Sequence, residues 1–226
     1  MRDGTRAAKP LGRNLMEQKS EIFQKNYEEY LAGISQVDLA SVKDTLGLEQ
    51  HGDRFFLPFF GTEYLLSSGG IEDDAGHTPD YSTCVILSKY ILRCPEQIHL
   101  ETEWAAFKDF KRTAQFVNVN YFISDTENVF TSTFAERIDD LARVALEIGG
   151  MPCDEYAGYD LAMKFVALPR ISLLLLFNDE DEDFPAYGTV LFQKHAEHYL
   201  DPESLAMTSA WLARRLAEGL GKGMKG

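Results

Sequence analysis

Leu173-Leu174-Leu175-Leu176-Phe177-Asn178-Asp179-Glu180-Asp181-Glu182-Asp183-Phe184-Pro185-Ala186-Tyr187 runs from an apolar stretch into an unbroken series of acids and then a Phe-Pro corner. The apolar stretch begins at Ile171 and reads as a central strand. Tyr187 to Phe192 reads as its hairpin partner, with the acids in the connection. Dense negative charge beside a buried strand costs energy unless a cation, a basic partner or open water faces it.

Outward from this hairpin, Leu161, Met163, Phe165 and Ala167 alternate like a half-buried strand. Asp201-Pro202-Glu203 starts a last helix carrying Leu205, Ala206, Leu212, Ala213 and Leu216. Upstream, Arg54 to Phe60 is strand-like, with Pro58 at an edge or bulge. Gly61 turns it into Tyr64-Leu65-Leu66. Thr78-Pro79 reads as the start of a helix that is apolar nearly all round from Val85 to Leu92 and therefore buried. The stretch Glu103 to Phe122 predicts short strands or turns. Phe130, Phe134, Ile138, Leu141, Ala145 and Ile148 repeat at three and four residues and predict one helix, closed by Gly149-Gly150.

These elements give an α+β fold: a mainly antiparallel sheet from two hairpins, with helices packed on it. Residues 54–94 and 170–216 both read hairpin then Pro-initiated helix. A duplicated ββα unit and two independent motifs both fit that pattern. Residues 1–14 lack periodicity and read as a disordered leader, 15–218 as a single α+β domain and 219–226 as a frayed tail.

With 22 basic and 36 acidic residues the net charge is −14. Such a field repels nucleic-acid phosphates and anionic membranes, so neither is expected as a partner. A basic protein partner or a metal cation is electrostatically easy. Cys84, Cys94 and Cys153 form no C-x-x-C pair, which points away from a disulfide framework and toward reduced thiols in the cytoplasm. The basic N-terminal residues have no apolar segment behind them, unlike a secretory signal. Ile171 to Phe177 is too short to span a bilayer. The apolar helix Tyr81 to Leu92 suits a homo-oligomer interface.

Asp179, Asp181 and Asp183 alternate and converge on a hard cation if the loop curls. An EF-hand beginning at Asp179 fails, because Phe184 and Val190 stand where Gly and Glu belong. A paired-carboxylate acid/base site and a solvated hairpin turn are the other readings. His195 and His198 share a face if their segment is helical, and with a carboxylate they would suit a transition metal. Their context matches neither H-E-x-x-H nor H-x-x-E-H. No phosphate-cradling glycine motif or G-x-S-x-G elbow is present.

Four further segments carry a family resemblance. They are Phe59-Phe60-Gly61-Thr62-Glu63-Tyr64 before a helix with Lys89-Tyr90-Ile91-Leu92; Trp104-Ala105-Ala106-Phe107-Lys108-Asp109-Phe110; Gly149-Gly150 followed by Gly158-Tyr159-Asp160; and Leu168-Pro169-Arg170, then Asp181-Glu182-Asp183-Phe184-Pro185-Ala186. Together they resemble the bacterial and archaeal domain-of-unknown-function family 3786, typical of anaerobes. The resemblance covers about Phe55 to Leu216 and implies distinctive residues at Trp104, Asp160 and Asp181 to Pro185. It supplies no activity or substrate. Some longer members carry an added iron–sulfur cysteine cluster that the scattered cysteines here do not match.

Two functions follow as expectations. One is a non-catalytic binding or accessory protein whose patch includes Trp104, Glu182, Phe184 and Pro185. The other is a metal-dependent enzyme in which Asp160, Asp181 and Asp183, with His195 or His198, hold a divalent ion that activates water.

Overall fold

Ile171–Asn178 forms the strand that its apolar run predicts, and every residue from Ile171 to Phe177 is buried. The computed structural model describes residues 11–67, 69–110 and 116–223. In chain order the first half comprises α1 (Leu11–Ile34), α2 (Leu39–Leu46), β1 (Glu49–His51), β2 (Arg54–Phe59), β3 (Thr62–Ser67), β4 (Gly70–Glu72), α3 (Tyr81–Leu92) and β5 (Trp104–Ala106). There follow α4 (Phe116–Phe122), α5 (Asn128–Phe134), α6 (Ile138–Glu147), β6 (Met151–Pro152), β7 (Leu161–Leu168), β8 (Ile171–Asn178), β9 (Tyr187–Gln193) and α7 (Pro202–Gly223).

The fold is α+β, and each expected hairpin is present. The two hairpins lie in separate antiparallel sheets rather than one. β1-β2-β3-β4 is a four-stranded meander, and β5-β9-β8-β7-β6 is a five-stranded sheet with β8 at its centre. Each hairpin recruits its own flanking strands. The sheets meet where the Phe60 N–H donates to the Ala167 carbonyl at 2.9 Å.

The helix α7 packs against α3, α4, α5 and α6. It buries Leu205, Ala206, Leu212, Ala213 and Leu216. The apolar surface of α3 is taken up inside the chain by α1 and α7. Its start is two residues later than Thr78 suggests. Asp80 is the cap, with Oδ1 accepting from the N–H groups of Ser82 and Thr83 at 2.9 and 3.3 Å. Asp201 serves α7 in the same way, accepting from Ser204 N–H at 2.9 Å. Hairpin-then-capped-helix thus recurs, although the first hairpin turns tightly at Phe60-Gly61 and the second through the acidic loop.

Three other expectations change. Glu103 to Phe122 contains the short strand β5, a 3-10 turn and the helix α4, which continues through a π-helical stretch at Ile123–Glu127 into α5. The single helix expected from Phe130 to Ile148 is broken into α5 and α6 at Glu136, whose φ is +60°. At the ends, α1 begins at Leu11, inside the expected leader, whose residues 1–10 lie outside the described ones. α7 runs through Gly219 to Gly223, into the expected tail. Packing carries it there: Leu220 is 7% exposed, and a Cβ on Gly219 would meet Val144 of α6 at 3.3 Å.

The α6–β7 packing gives a direct test. A Cβ on Gly150 would lie 2.7 Å from the Ala145 carbonyl oxygen and 2.7 Å from the Phe165 ring, whereas one on Gly158 meets nothing within 4 Å. Gly150→Ala should lose about 1–3 kcal/mol through overpacking. Gly158→Ala should be neutral or slightly stabilising. Urea denaturation of both variants checks the pair, and equal midpoints would contradict this packing.

Candidate functional site

A strand that ends in acids must give its last backbone donors to something, and here they go to the acids themselves. The Asn178 side-chain oxygen accepts from Asp160 N–H at 3.0 Å, and Asp160 Oδ2 accepts from Asp179 N–H at 2.9 Å. The sequence left open whether Asp160 meets the acidic run. It does, through this reciprocal clamp between the start of β7 and the end of β8.

The next carboxylate acts over a longer range. Asp179 Oδ1 accepts from Glu136 N–H at 2.7 Å and from Glu180 N–H at 2.9 Å. It therefore holds the left-handed residue at which α5 and α6 part. Asp181 Oδ1 accepts from the N–H groups of Asp183 and Phe184 at 2.8 and 2.7 Å, and Asp181 N–H donates to the Phe184 carbonyl at 3.0 Å. Short acidic side chains favour such local backbone bonds. Asp160, Asp179 and Asp181 all spend carboxylate lone pairs on backbone donors.

The turn so ordered lifts Phe184 into solvent at 71% exposure, with Tyr187 at 48%. Its loop neighbours Glu180, Glu182, Asp183 and Pro185 are exposed as well. Open water faces these charges.

The other predicted residues lie elsewhere. His195 and His198 follow β9, whereas the acids precede it, so a strand of about 20 Å separates them. His195 is 1% exposed. Its Nδ1 accepts from Glu101 N–H at 2.8 Å, and its Nε2 bonds the Arg170 carbonyl at 2.8 Å, so both ring nitrogens are occupied. That carbonyl accepts, which assigns the proton to Nε2. His198 stacks on His99 with centroids 3.8 Å apart and planes 9° from parallel. The two histidines therefore do not face a common ligand, although their segment is a 3-10 helix. Trp104 is half-buried on the edge strand β5 opposite Gln193, at the end of β9 remote from Tyr187.

Among the described residues, the ligand atoms of Glu49, His51 and Glu63 lie within 4.8 Å of one another, all on exposed side chains. No such group includes Asp160, Asp181 or Asp183. Sequence reasoning missed Asn178, Asp179 and Glu136 as organisers of the corner. An Asn-Asp pair at a strand end signals local backbone bonding. The partner Glu136, 43 residues away, leaves no local signal.

The family model described as Domain of unknown function (DUF3786) matches residues 38–215. The chain belongs to this family. The DUF3786 region opens at Asp38, the N-cap of α2. It takes in both sheets, Asp160, the acidic corner and both histidines of the 3-10 segment. No curated protein and no solved structure matches the chain.

Two predictions follow from this geometry. Asp179→Ala should cost about 1–2 kcal/mol, as loss of a helix cap does. Asp179→Asn, which keeps an acceptor oxygen, should cost less. Chemical denaturation distinguishes them. The second concerns pH. Burial, and then His99, hold the His198 imidazole below its ordinary pKa, with Glu197 and Glu101 opposing. The unfolded chain therefore binds the proton more readily, and His198 favours folding above a pH of about 6.5. That contribution is lost as pH falls toward the lowered value. His198→Gln should flatten the slope of melting temperature against pH in this window, and an unchanged slope would remove His198 as its source.

Proposed function

We propose that this DUF3786 chain is a non-catalytic binding domain that docks a basic protein partner on the acidic corner. One observation carries the reading: Asp160, Asp179 and Asp181 are engaged in shaping the turn, and the shaped turn presents Phe184 at 71% exposure in the same loop as the exposed acids Glu180, Glu182 and Asp183. Large aromatic side chains on a fixed loop supply anchor area at low entropic cost. Acids around the anchor steer a basic partner and speed encounter, more at low salt than at high. A partner with a cationic rim around an apolar pocket complements this crest.

Asp160 meeting the acidic run is what the alternative, a metal-dependent enzyme, requires. Its carboxylate, however, already accepts from Asp179 N–H. A divalent ion would have to share the oxygens with these backbone donors.

The test separates the two. Crosslinking in the native host, followed by titration of the captured partner, should give a complex that Phe184→Ala weakens about tenfold or more. Glu180→Gln/Glu182→Gln should lower its association rate and its salt dependence. Partner binding indifferent to all three changes would sink the docking face. Melting of the metal-free protein with Mg²⁺, Mn²⁺, Ca²⁺ or Zn²⁺ should be unshifted. A shift abolished by Asp181→Asn/Asp183→Asn would instead establish the metal reading.

A further inference from the structure

A cavity of about 690 Å³ lies between the β2–β3 turn, the end of α6 and α7, and shares no residue with the acidic corner. Its apolar wall is Phe60 and Trp211, stacked with centroids 4.6 Å apart and planes 13° from parallel. Phe60 has φ +46°, a left-handed conformation that bulky residues rarely adopt. Its bond to Ala167 and its stack on Trp211 hold it there.

Tyr64 also lines this cavity and is 9% exposed. The buried tyrosines Tyr27, Tyr90 and Tyr199 each make a hydroxyl hydrogen bond, at 2.9, 2.7 and 2.9 Å. The Tyr64 hydroxyl has no partner among the described residues. Among the described residues the one side-chain polar atom both fully buried and unpartnered is Ser88 Oγ, so the Tyr64 hydroxyl reaches the open space of the cavity and is free to bond a ligand atom or water.

The charged groups divide unevenly. Arg214 approaches Asp80 at 3.7 Å and Glu218 at 4.0 Å, and Arg215 approaches Glu218 at 3.4 Å. These are loose contacts beside those of Arg137 and Arg143, at 2.9 and 2.8 Å to their acids. Two guanidinium forks therefore face the cavity with donors to spare. The acids have less to spare. Asp80 caps α3, and Glu147 accepts from Arg143 at 2.8 Å. The free capacity is for an acceptor, and the apolar wall beside it is the stacked pair of Phe60 and Trp211.

We propose that this cavity binds a small monoanionic carboxylate on an apolar body. Arg214, Arg215 and the Tyr64 hydroxyl take the carboxylate, and Trp211 and Phe60 take the body. Arginine forks match carboxylates bidentately. Asp80, Glu147 and Glu218 on the same wall repel a dianion such as phosphate more strongly, which sets the charge at one.

Trp104→Phe leaves Trp211 as the sole tryptophan, because the chain has 2. The experiment titrates that variant with phenylacetate, following Trp211 fluorescence and melting temperature, with inorganic phosphate and phenethylamine in parallel. Phenylacetate should give a saturable change with a dissociation constant of about 1 mM or lower, and should raise the melting temperature. Arg214→Gln/Arg215→Gln should weaken it by about tenfold or more, and Tyr64→Phe by several-fold. Arg214→Lys/Arg215→Lys retains the charge but loses the fork, and should also weaken binding. It serves as the second variant if the Gln pair fails to fold. The proposal is overturned if phenylacetate gives no saturable response, if the arginine variants bind it undiminished, or if phosphate or phenethylamine binds as tightly.

Discussion

A helix buried on most of its circumference has to place every polar atom it carries, and α7 imposes that constraint on this fold. Ser204, Thr208 and Ser209 are all buried beside its leucines and alanines. Thr208 donates to the Ser204 carbonyl at 2.7 Å, Ser209 donates to the Ala206 carbonyl at 2.9 Å, and the Ser209 and Thr126 hydroxyls meet at 2.9 Å. Small residues and the paired hydroxyls of Thr208 and Ser209 let α3, α4, α5 and α6 approach from different sides, and Ser88 Oγ of α3 is the buried hydroxyl left without a partner among the described residues. The π-helical stretch at Ile123–Glu127 fits the same need, since it carries Thr126 to Ser209. π-bulges commonly sit where a local requirement overrides regular helix geometry.

The first sheet is fastened to this helix by aromatic contact and to the second sheet by a backbone bond and by packing of β2 on β7. Phe59 and Phe60 both pack on Trp211, and the Phe60 N–H reaches across to Ala167. A left-handed phenylalanine costs roughly 1–2 kcal/mol relative to the ordinary region. Stacking of an aromatic pair is worth about 0.5–1.5 kcal/mol beyond its buried area, and a satisfied buried N–H avoids a penalty of similar size. The strain at Phe60 is thus offset where it arises. The same stack walls the cavity, so the junction of the two sheets also shapes a concave surface.

How much of this was legible in the sequence varies by element. β8 was plain because a run buried on both faces needs no partner to be recognised. α3 was plain for the same reason, its apolar content exceeding one face, and α7 was plain from its Asp201-Pro202-Glu203 start. The break between α5 and α6 was invisible. The residues from Phe130 to Ile148 keep helical spacing through Glu136, and only a carboxylate 43 residues away holds that residue left-handed. The bonding of His195 was hidden for a related reason. Its partners, Glu101 N–H and the Arg170 carbonyl, are backbone groups, which carry no side-chain signature. The acidic run was seen, and its extent was right, but spacing alone gave no sign that its acids bond backbone donors. The cavity arises from Tyr64, Asp80, Trp211 and Arg214, which come from three separate parts of the chain, and no local pattern links them.

The helix α6 relates the two surfaces. Its N-terminal end follows Glu136, which Asp179 of the acidic corner holds, and its C-terminal residue Glu147 lines the cavity. At 1.5 Å per residue the helix spans about 15 Å between them. Asp139 and Asp140 in its first turn suit the helix dipole but add to an already negative region. Arg137 and Arg143 answer this by bracketing Asp140 at 2.9 and 3.2 Å, and Arg143 continues to Glu147 at 2.8 Å. Together they hold the Asp140 carboxyl below its usual range. Exposed ion pairs of this kind add little stability singly. Arranged along one helix face, they instead fix side-chain positions from the edge of the corner to the rim of the cavity. That arrangement keeps Glu147 engaged with Arg143, which is the condition that leaves Arg214 and Arg215 as the less committed charges on the cavity wall.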